Sequence, residues 1–456
     1  MVTADRHDPA VAAALLDRVL ELVPNGEAEA VYTARDEALT RFANSQIHQN
    51  VADRDRSVRV RLTRDGRTGV ASTNRLEEAG LRAAVEQALA IRDRAARNPD
   101  TSPLAGGPST AHVRSGWTDR TADADPALRA AAARAVIDAA LAAGLEASGA
   151  FSTEALTMAV ANTRGLRSSA STTAAKLLSV VMGTDGASGY AQATDPDVGR
   201  IDGAAIGAEA VDRARRTTGA EDLAPGEYQV LLEPYAVAAL IEYISFIGFS
   251  ALAAQEGRSF MELGRTVMGS NVRIWDDGQD PGGLPSIIDF EGVRKQRVDL
   301  VTDGVATGHV HDTATAHRAG TASTGHGLPA PNPWGPVAWN LFMAGGRASH
   351  DELLAGIDRG IWVTRFHYVN VVHAKRAILT GMTKDGTFLV EKGRIVRPIR
   401  NLRFTQSVPE AFSRIRGLSD ETRLVGAEYS GIAVRAPALL IDGFGFTGAT
   451  AAEGPG

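Results

Sequence analysis

Residues Tyr235 to Ala254 read YAVAALIEYISFIGFSALAA, twenty residues with a single charge, Glu242. Whether this run crosses a membrane or lies inside a soluble core decides the fold. A carboxylate in mid-span costs about 2.5–3.5 kcal/mol on insertion scales. No Lys/Arg cluster flanks either end closely, and Pro234 stands where proline suits the first turn of a helix. The run is therefore read as one long helix buried in a large soluble domain, with no membrane partner.

The chain on either side has a different texture. Downstream, Asp303-Gly304, Asp385-Gly386 and Lys392-Gly393 interrupt alternating or β-branched stretches, as tight hairpins do. Val298–Val301 is expected to pair with Val305–Val310, and Ala377–Thr380 with Phe388–Val390. Upstream, Asp8-Pro9 and Asp125-Pro126 each open an Ala-rich helix, with Asp as cap and Pro in the first turn. These helices should end near Val23 and Ala143. Strands are expected at Glu29–Ala34, Glu37–Gln46 and Ser57–Thr63, the last turning through Asp65-Gly66 into Thr68–Ser72. Asn74 with Glu77 reads as a capping box for a helix to about Arg97, and Asn98–His112 reads as a linker. Further strands flank Asn162–Gly165, and another helix covers about Ala204–Arg216.

The expected fold class is α+β. Residues 1–222 form an N-terminal α/β region of helix–strand–helix units, with 1–97 and 113–222 as two similar units. Residues 223–456 form a β-rich domain that holds the long helix, with the boundary near Ala220–Pro225. The segment Gly443–Gly448 ends a β-segment that runs into a flexible tail.

Composition narrows the chemistry. The chain has 456 residues, 54 Asp+Glu against 48 Lys+Arg, a formal charge of −6 and no cysteine. The charge argues against nucleic acid as a partner. Without cysteine there are no disulfides, no Cys-ligated zinc or iron–sulfur site and no thiol nucleophile. Met1–Val11 has charges and no apolar core of a secretory signal, so a cytoplasmic location is expected.

Ten histidines make a metal site the first thing to seek. His309 and His311 share a face if they lie on a strand, with His317 as a third ligand; Asp312 would point away. A polar hairpin face that happens to carry two histidines is the more economical reading. His367 and His373 would be separated by about 20 Å of strand, too far for one ion. No H-E-x-x-H or H-E-x-x-x-H occurs; the long helix supplies only Glu242. Asp289 and Glu291 face the same way on a strand, but Arg294, Lys295 and Arg297 nearby make ion pairing the simpler account. No G-x-S-x-G serine elbow is present, and the G-x-G of Gly443–Gly445 lacks a following helix.

Several segments together resemble the TldD/PmbA (TldD/TldE) family. They are Ser57–Leu62 with Asp65–Gly69 and Ser72–Asn74, then Asp289–Gly292 with Gln296-Arg297. Val363–Asn370, Thr380–Phe388 and Asn401–Ser407 continue the series in order across most of the chain. The resemblance implies an N-terminal α/β region, a C-terminal β-rich barrel-like domain, and dimers that enclose a cavity. It also implies zinc peptidase activity in TldD-type subunits, on unfolded or leader-bearing peptides. Their zinc is held by the two His of an H-E-x-x-x-H helix and a Cys, and TldE-type subunits lack these ligands. Laid on that motif, Glu242 takes the Glu position while Ile241 and Phe246 take the two His positions, where apolar side chains should fill the site. Ala254–Phe260 also resembles the TldE side.

The reading that follows is a TldE-like, non-metal subunit of a zinc metallopeptidase, with Arg365 and Asn370 as candidates for contact with substrate or partner. The chain itself would bind no metal and have no catalytic residue, Glu242 being inactive. Zinc is expected in a TldD-type partner, with the dimer formed with that partner or with a second copy. The alternatives are a stand-alone peptide-binding scaffold, or an independent hydrolase that uses His309 and His311. The Gly/Pro-rich loop 320–336, with Trp334 inside it, is expected at the cavity mouth or the dimer interface.

Overall fold

A computed structural model describes residues 6–98, 101, 103–427 and 430–449. Positions 99, 100 and 102 of the expected linker and the expected tail beyond 449 lie outside the described residues.

The N-terminal region runs α1 (Pro9–Glu21), β1 (Glu27–Ala43), β2 (Gln46–Arg64), β3 (Arg67–Thr73) and α2 (Glu78–Arg94). After β4 (Val113–Arg114) and α3 (Asp119–Ala122) come α4 (Pro126–Ala142), β5 (Glu146–Asn162), β6 (Arg167–Met182), β7 (Ser188–Asp195) and α5 (Gly203–Arg216). The order helix, three strands, helix thus occurs twice. The strands form one sheet in the order β3-β2-β1-β5-β6, with β4 and β7 both paired to β6. Asp8 accepts from Ala10 N and Asp125 from Leu128 N, so both Asp-Pro starts are capped. Asn74 caps nothing: α2 begins after Glu77, without a side-chain cap.

The expected strands Glu29–Ala34 and Glu37–Gln46 are one 17-residue strand, and its partner β2 has 19 residues. They meet at Asn44 and Ser45, which both have positive φ. Among the described residues, β2 pairs only with β1 from Gln46 to Ser57, and its other edge has no strand partner until β3 joins it at Val58. This stretch is exposed and charged, so no alternation of apolar residues marks it as a strand. One face of the sheet carries all four long helices. α1 and α2 pack on Ala28–Ala34, and α4 and α5 pack around Phe42 and Phe151. The opposite face meets Ile287 and Ile288 through Val31, Met158 and Val160.

Both helix pairs need a strand glycine for their approach. A Cβ on Gly69 would collide with the Ala88 carbonyl of α2, and one on Gly189 with the Ala210 carbonyl of α5.

The rest of the chain begins with β8 (Gly226–Leu232), α6 (Pro234–Ile244), a π-helical turn at Ser245–Phe249 and α7 (Ala251–Gln255). It continues through β9 (Ile274–Asp276), β10 (Val298–Thr302), β11 (Val305–Ala306), α8 (Thr313–Ala319), β12 (Asn340–Met343) and α9 (His350–Ala355). The last elements are β13 (Arg359–His373), β14 (Ile378–Glu391), β15 (Arg394–Pro398), β16 (Leu402–Ser407), α10 (Val408–Phe412), β17 (Ile415–Gly426) and β18 (Ala433–Ala449). These strands make an eleven-stranded sheet, ordered β11-β10-β9-β12-β18-β16-β14-β13-β8, with β15 on β14 and β17 on β18. A further pairing returns from β18 to β8, so five strands make a circuit. The other strands extend from it, and the sheet is not closed into a true barrel. The α+β reading holds, and the largest core cluster gathers around α6.

The long helix is broken. Ser245 Oγ bonds back to the Glu242 carbonyl at 2.7 Å, the π turn follows, and Ser250 is extended. Gly248 sits where a Cβ would strike the Phe260 ring. No described helix is long and apolar enough to cross a membrane. Asp385-Gly386 is not a hairpin turn either: it lies inside β14, where the register to β13 shifts between Val363 and Arg365. Ile378–Thr380 therefore does not pair with Phe388–Val390, which lies farther along the same strand, and Ala377 precedes the strand. The partners of Ile378–Thr380 are β13 on one side and β16 on the other. The hairpins at Asp303-Gly304 and Lys392-Gly393 form, although β11 stops at Ala306.

Gly69→Ala and Gly189→Ala should each lower stability by about 1–3 kcal/mol, because the added methyl must displace helix backbone. A reduced midpoint in urea unfolding would measure this; an unchanged midpoint would refute the tight strand–helix contact.

Candidate functional site

A cavity of about 450 Å³ opens where α6 and its π turn face β13. Glu242, Tyr243 and Phe246 form one wall, Arg365 to Asn370 a second, and Tyr190, Gln192 and Tyr235 the floor. Glu242 on α6 and Arg365 and Asn370 on β13, more than 120 residues away, therefore line one space. Glu242 Oε1 accepts a hydrogen bond from Ser430 Oγ at 2.6 Å. Ile241 is fully buried in the core, whereas Phe246 is 42% exposed on the cavity wall. The expectation that these two apolar residues fill the site is thus corrected: the helix turns Ile241 away and leaves the cavity open.

Arg365 is held from both sides. Its Nε donates to Asp385 Oδ2 at 2.6 Å, and its guanidinium lies 4.1 Å over the Tyr190 ring. Tyr190 in turn meets Tyr235 edge-on at 5.3 Å. The Tyr235 hydroxyl accepts from Gln192 N at 3.0 Å and donates to Gln192 O at 3.1 Å, which ties the cavity floor to β7. Asn370 donates to the Tyr368 carbonyl at 3.0 Å. Between them β13 bulges, and Tyr368 adopts a φ of 49°, a left-handed conformation that tyrosine rarely takes. Its ring is 74% exposed at the cavity. β8 pairs with β13 only as far as Val363, so beyond that residue this edge of β13 has no strand partner among the described residues.

The cavity depends on where α6 starts. The buried Glu233 carboxylate accepts from His350 Nε2 and Trp362 Nε1, both at 2.7 Å, and Arg213 lies 3.9 Å away. Burial alone would raise its pKa, but the His350 bond and the Arg213 charge hold it below the usual carboxylate range.

The other sequence candidates lie elsewhere. His309 and His311 sit on the loop between β11 and α8, not on a strand, and His317 is exposed on α8. Burial lowers the pKa of both loop histidines, and His311 adds to the effect on His309. Among the described residues, no group of three or more His, Asp or Glu could hold a metal ion. Asp289 and Glu291 are buried and do not pair with the nearby cations. Asp289 accepts from the Glu291, Val293 and Gly327 amides, and Glu291 accepts from Thr313 N at 2.7 Å and Oγ1 at 2.6 Å. Arg294 instead binds Gln279, Lys295 binds Asn340, and Arg297 binds Asp299. Burial pushes both carboxyls up, and repulsion from Glu291 raises Asp289 further. No residue of loop 320–336 lines the cavity. Its Trp334 is 76% exposed.

Two family patterns match the chain. The PmbA/TldA metallopeptidase C-terminal domain covers residues 225–448, and PmbA/TldA metallopeptidase domain 1 covers residues 28–92. This chain belongs to the PmbA/TldD family. Among relatives, a metalloprotease TldD homolog of Haemophilus influenzae is 29% identical over 40% of this chain and 39% of its own length. A metalloprotease of Methanothermobacter thermautotrophicus is 24% identical over 48% of each chain. The chain thus matches less than half the length of these curated relatives. In fold, it is similar to TldE from Thermococcus kodakarensis, with a TM-score of 0.82, 18% identity, and 96% of this chain and 100% of that one covered.

The family's metallopeptidase members make zinc the implied cofactor. The residues here do not fit it: Ile241 lies in the core, Phe246 offers no lone pair, and Glu242 is engaged by Ser430. Sequence reasoning misses Tyr190, Tyr235 and Tyr368. The first two come from distant elements, and Tyr368 is marked only by its backbone.

These contacts generate two testable outcomes. Burial pushes the Tyr235 phenol up to about 12. The stability it contributes should be complete below the ordinary tyrosine pKa near 10 and lost as pH rises through the folded value. Phenolate difference absorbance of wild type against Tyr235→Phe checks this, and titration of this phenol near 10 would refute it. Glu233→Ala leaves His350 and Trp362 without an acceptor and should cost about 3–5 kcal/mol in chemical unfolding; a cost under about 1 kcal/mol would show that the carboxylate does not anchor α6.

Proposed function

We propose that this chain is the non-metal-binding, TldE-like subunit of a zinc metallopeptidase that acts on unfolded or leader-bearing peptides. The observation that carries this reading is that apolar residues, Ile241 in the core and Phe246 on the wall of an open cavity, stand at the two positions flanking Glu242 where metal ligands would be needed. Without flanking metal ligands Glu242 has no metal-bound water to activate, and its carboxylate instead accepts from Ser430. The cavity nevertheless suits an extended peptide. The edge of β13 beyond Val363 offers backbone donors and acceptors for an added strand, which gives affinity with little sequence preference. Tyr190, Phe246 and Tyr368 supply aromatic surface, and Arg365 and Asn370 supply polar contacts.

In this reading the catalytic partner is a TldD-type subunit that brings its own zinc, and the complex is cytoplasmic. A domain division at about residue 222 leaves a single sheet on each side of it.

The test begins with the chain purified alone and dialysed against a weak chelator. It should retain far less than one zinc per chain and cleave no unfolded peptide. Mixed with a relative that carries H-E-x-x-x-H, it should co-purify and support cleavage. Glu242→Gln should leave that activity within about twofold, whereas loss of a true general base costs about 10²–10⁴-fold. Stoichiometric zinc, or cleavage by the chain alone, would overturn the proposal. Peptide binding with no cleavage alongside any such relative would replace it with the scaffold reading.

A further inference from the structure

Four arginines are buried among the described residues: Arg92, Arg129, Arg213 and Arg365. Three have carboxylate partners, Asp93, Glu209 and Asp385 respectively. Arg129, at 1% exposure, has none within ion-pair distance among the described residues. Its Nη1 donates to the Ala124 carbonyl at 3.0 Å and Thr153 Oγ1 at 3.2 Å, and its Nε meets no acceptor. An unpaired cation out of water is costly, and burial accordingly depresses this guanidinium's pKa, with only partial relief from Asp125.

Arg129 lies in the floor of a cleft of about 610 Å³. The cleft follows from the fold: α1 and α2 cover one end of the long strands and α4 and α5 the other. On the sheet face between them, Asp36 and Ala38 are half-buried and line the cleft, and Thr153 is buried against Arg129. Most charges on its walls are already matched. Asp36 pairs with Arg6 at 3.2 Å, Asp119 lies 3.7 Å from Arg114 and accepts from Trp117 Nε1, and Asp125 caps α4. Asp53 and Asp123 are exposed at the cleft and make no ion pair among the described residues. The lining charges without an ion pair among the described residues are therefore the buried Arg129 and three carboxylates, Asp53 and Asp123 at the rim and Asp125, which the Leu128 amide engages.

We propose that this cleft is a second ligand site, distinct from the cavity at Glu242, for the zwitterion of a free amino acid or short peptide. The ligand's carboxylate lies against Arg129 and its ammonium faces Asp53 and Asp123. A carboxylate supplies the charged acceptor that this guanidinium lacks. A phosphate dianion would meet the acidic rim with like charge, so it is the weaker candidate.

Trp117 lines the same cleft, with the Arg114 guanidinium 4.8 Å over its ring, and provides a local reporter. The experiment titrates the whole protein with L-alanine, trialanine, trialanine amide and inorganic phosphate while following tryptophan fluorescence. Trialanine should change the emission, the amide should bind at least tenfold more weakly, and the change should vanish in Trp117→Phe. A response to L-alanine as well assigns the site to free amino acids; a response to trialanine alone assigns it to peptide C-termini. Arg129→Gln should abolish the effect, and the acid–amide comparison on wild type stands even if that variant fails to fold. Equal binding of acid and amide, a response to phosphate only, a response kept in folded Arg129→Gln, or no response overturns the proposal.

Discussion

Glu233 stands at the joint between β8 and α6, and its buried carboxylate is shared by His350 and Trp362 at 2.7 Å each. This one group sets where α6 begins, hence how far Glu242 and Phe246 lie along the cavity wall. It also links three layers of the molecule, since His350 belongs to α9, Trp362 to β13 and the nearby Arg213 to α5 under the first sheet. A buried anion is tolerated only where its bonds are made with good geometry. Here those bonds fix the relation between the helical layer of the first sheet and the wall of the cavity.

A second clamp works on the opposite face of the first sheet. Glu29 on β1 pairs with Arg61 on β2 at 3.0 Å, and the charge of Arg61 also reaches Glu291 in the loop beyond β9. Glu291 then accepts twice from Thr313 at the start of α8, while Asp289 gathers three amides of its own loop and the next. The two carboxylates that look catalytic in sequence are therefore loop organisers. Their raised pKa values express burial, with repulsion from Glu291 on Asp289 and from Asp312 on Glu291, and both carboxyls are buried.

What is legible in the sequence is local. The Asp-Pro helix starts and the Asp65-Gly66, Asp303-Gly304 and Lys392-Gly393 turns follow from one or two residues each, and they appear where expected. The unbroken length of β1 and β2 is not legible, because exposed strand positions carry charges with no apolar alternation. The break after Ile244 depends on the distant Phe260 ring beside Gly248, and the Asp385-Gly386 bulge depends on register with β13. At the site, Glu242, Arg365 and Asn370 stand out through resemblance to a family, while Tyr190 and Tyr235 join them only once two sheets are packed. Arg129 carries no sequence signal: an arginine in an Ala-rich helix reads as solvent-facing until the neighbouring strands are in place.

The open edge of β2 has a consequence that comes from symmetry. Side chains directly opposite one another in an antiparallel pair lie on the same face. Two copies of one strand related by a two-fold axis therefore set odd-numbered residues against odd and even against even. Asp53 and Asp55 alternate with Arg54 and Arg56 along this edge. A self-pairing centred on any residue from 53 to 56 sets Asp against Asp or Arg against Arg, an arrangement that like charges disfavour. A strand of different sequence is under no such restriction. The edge is thus biased against its own copy while its backbone stays available to an unlike one.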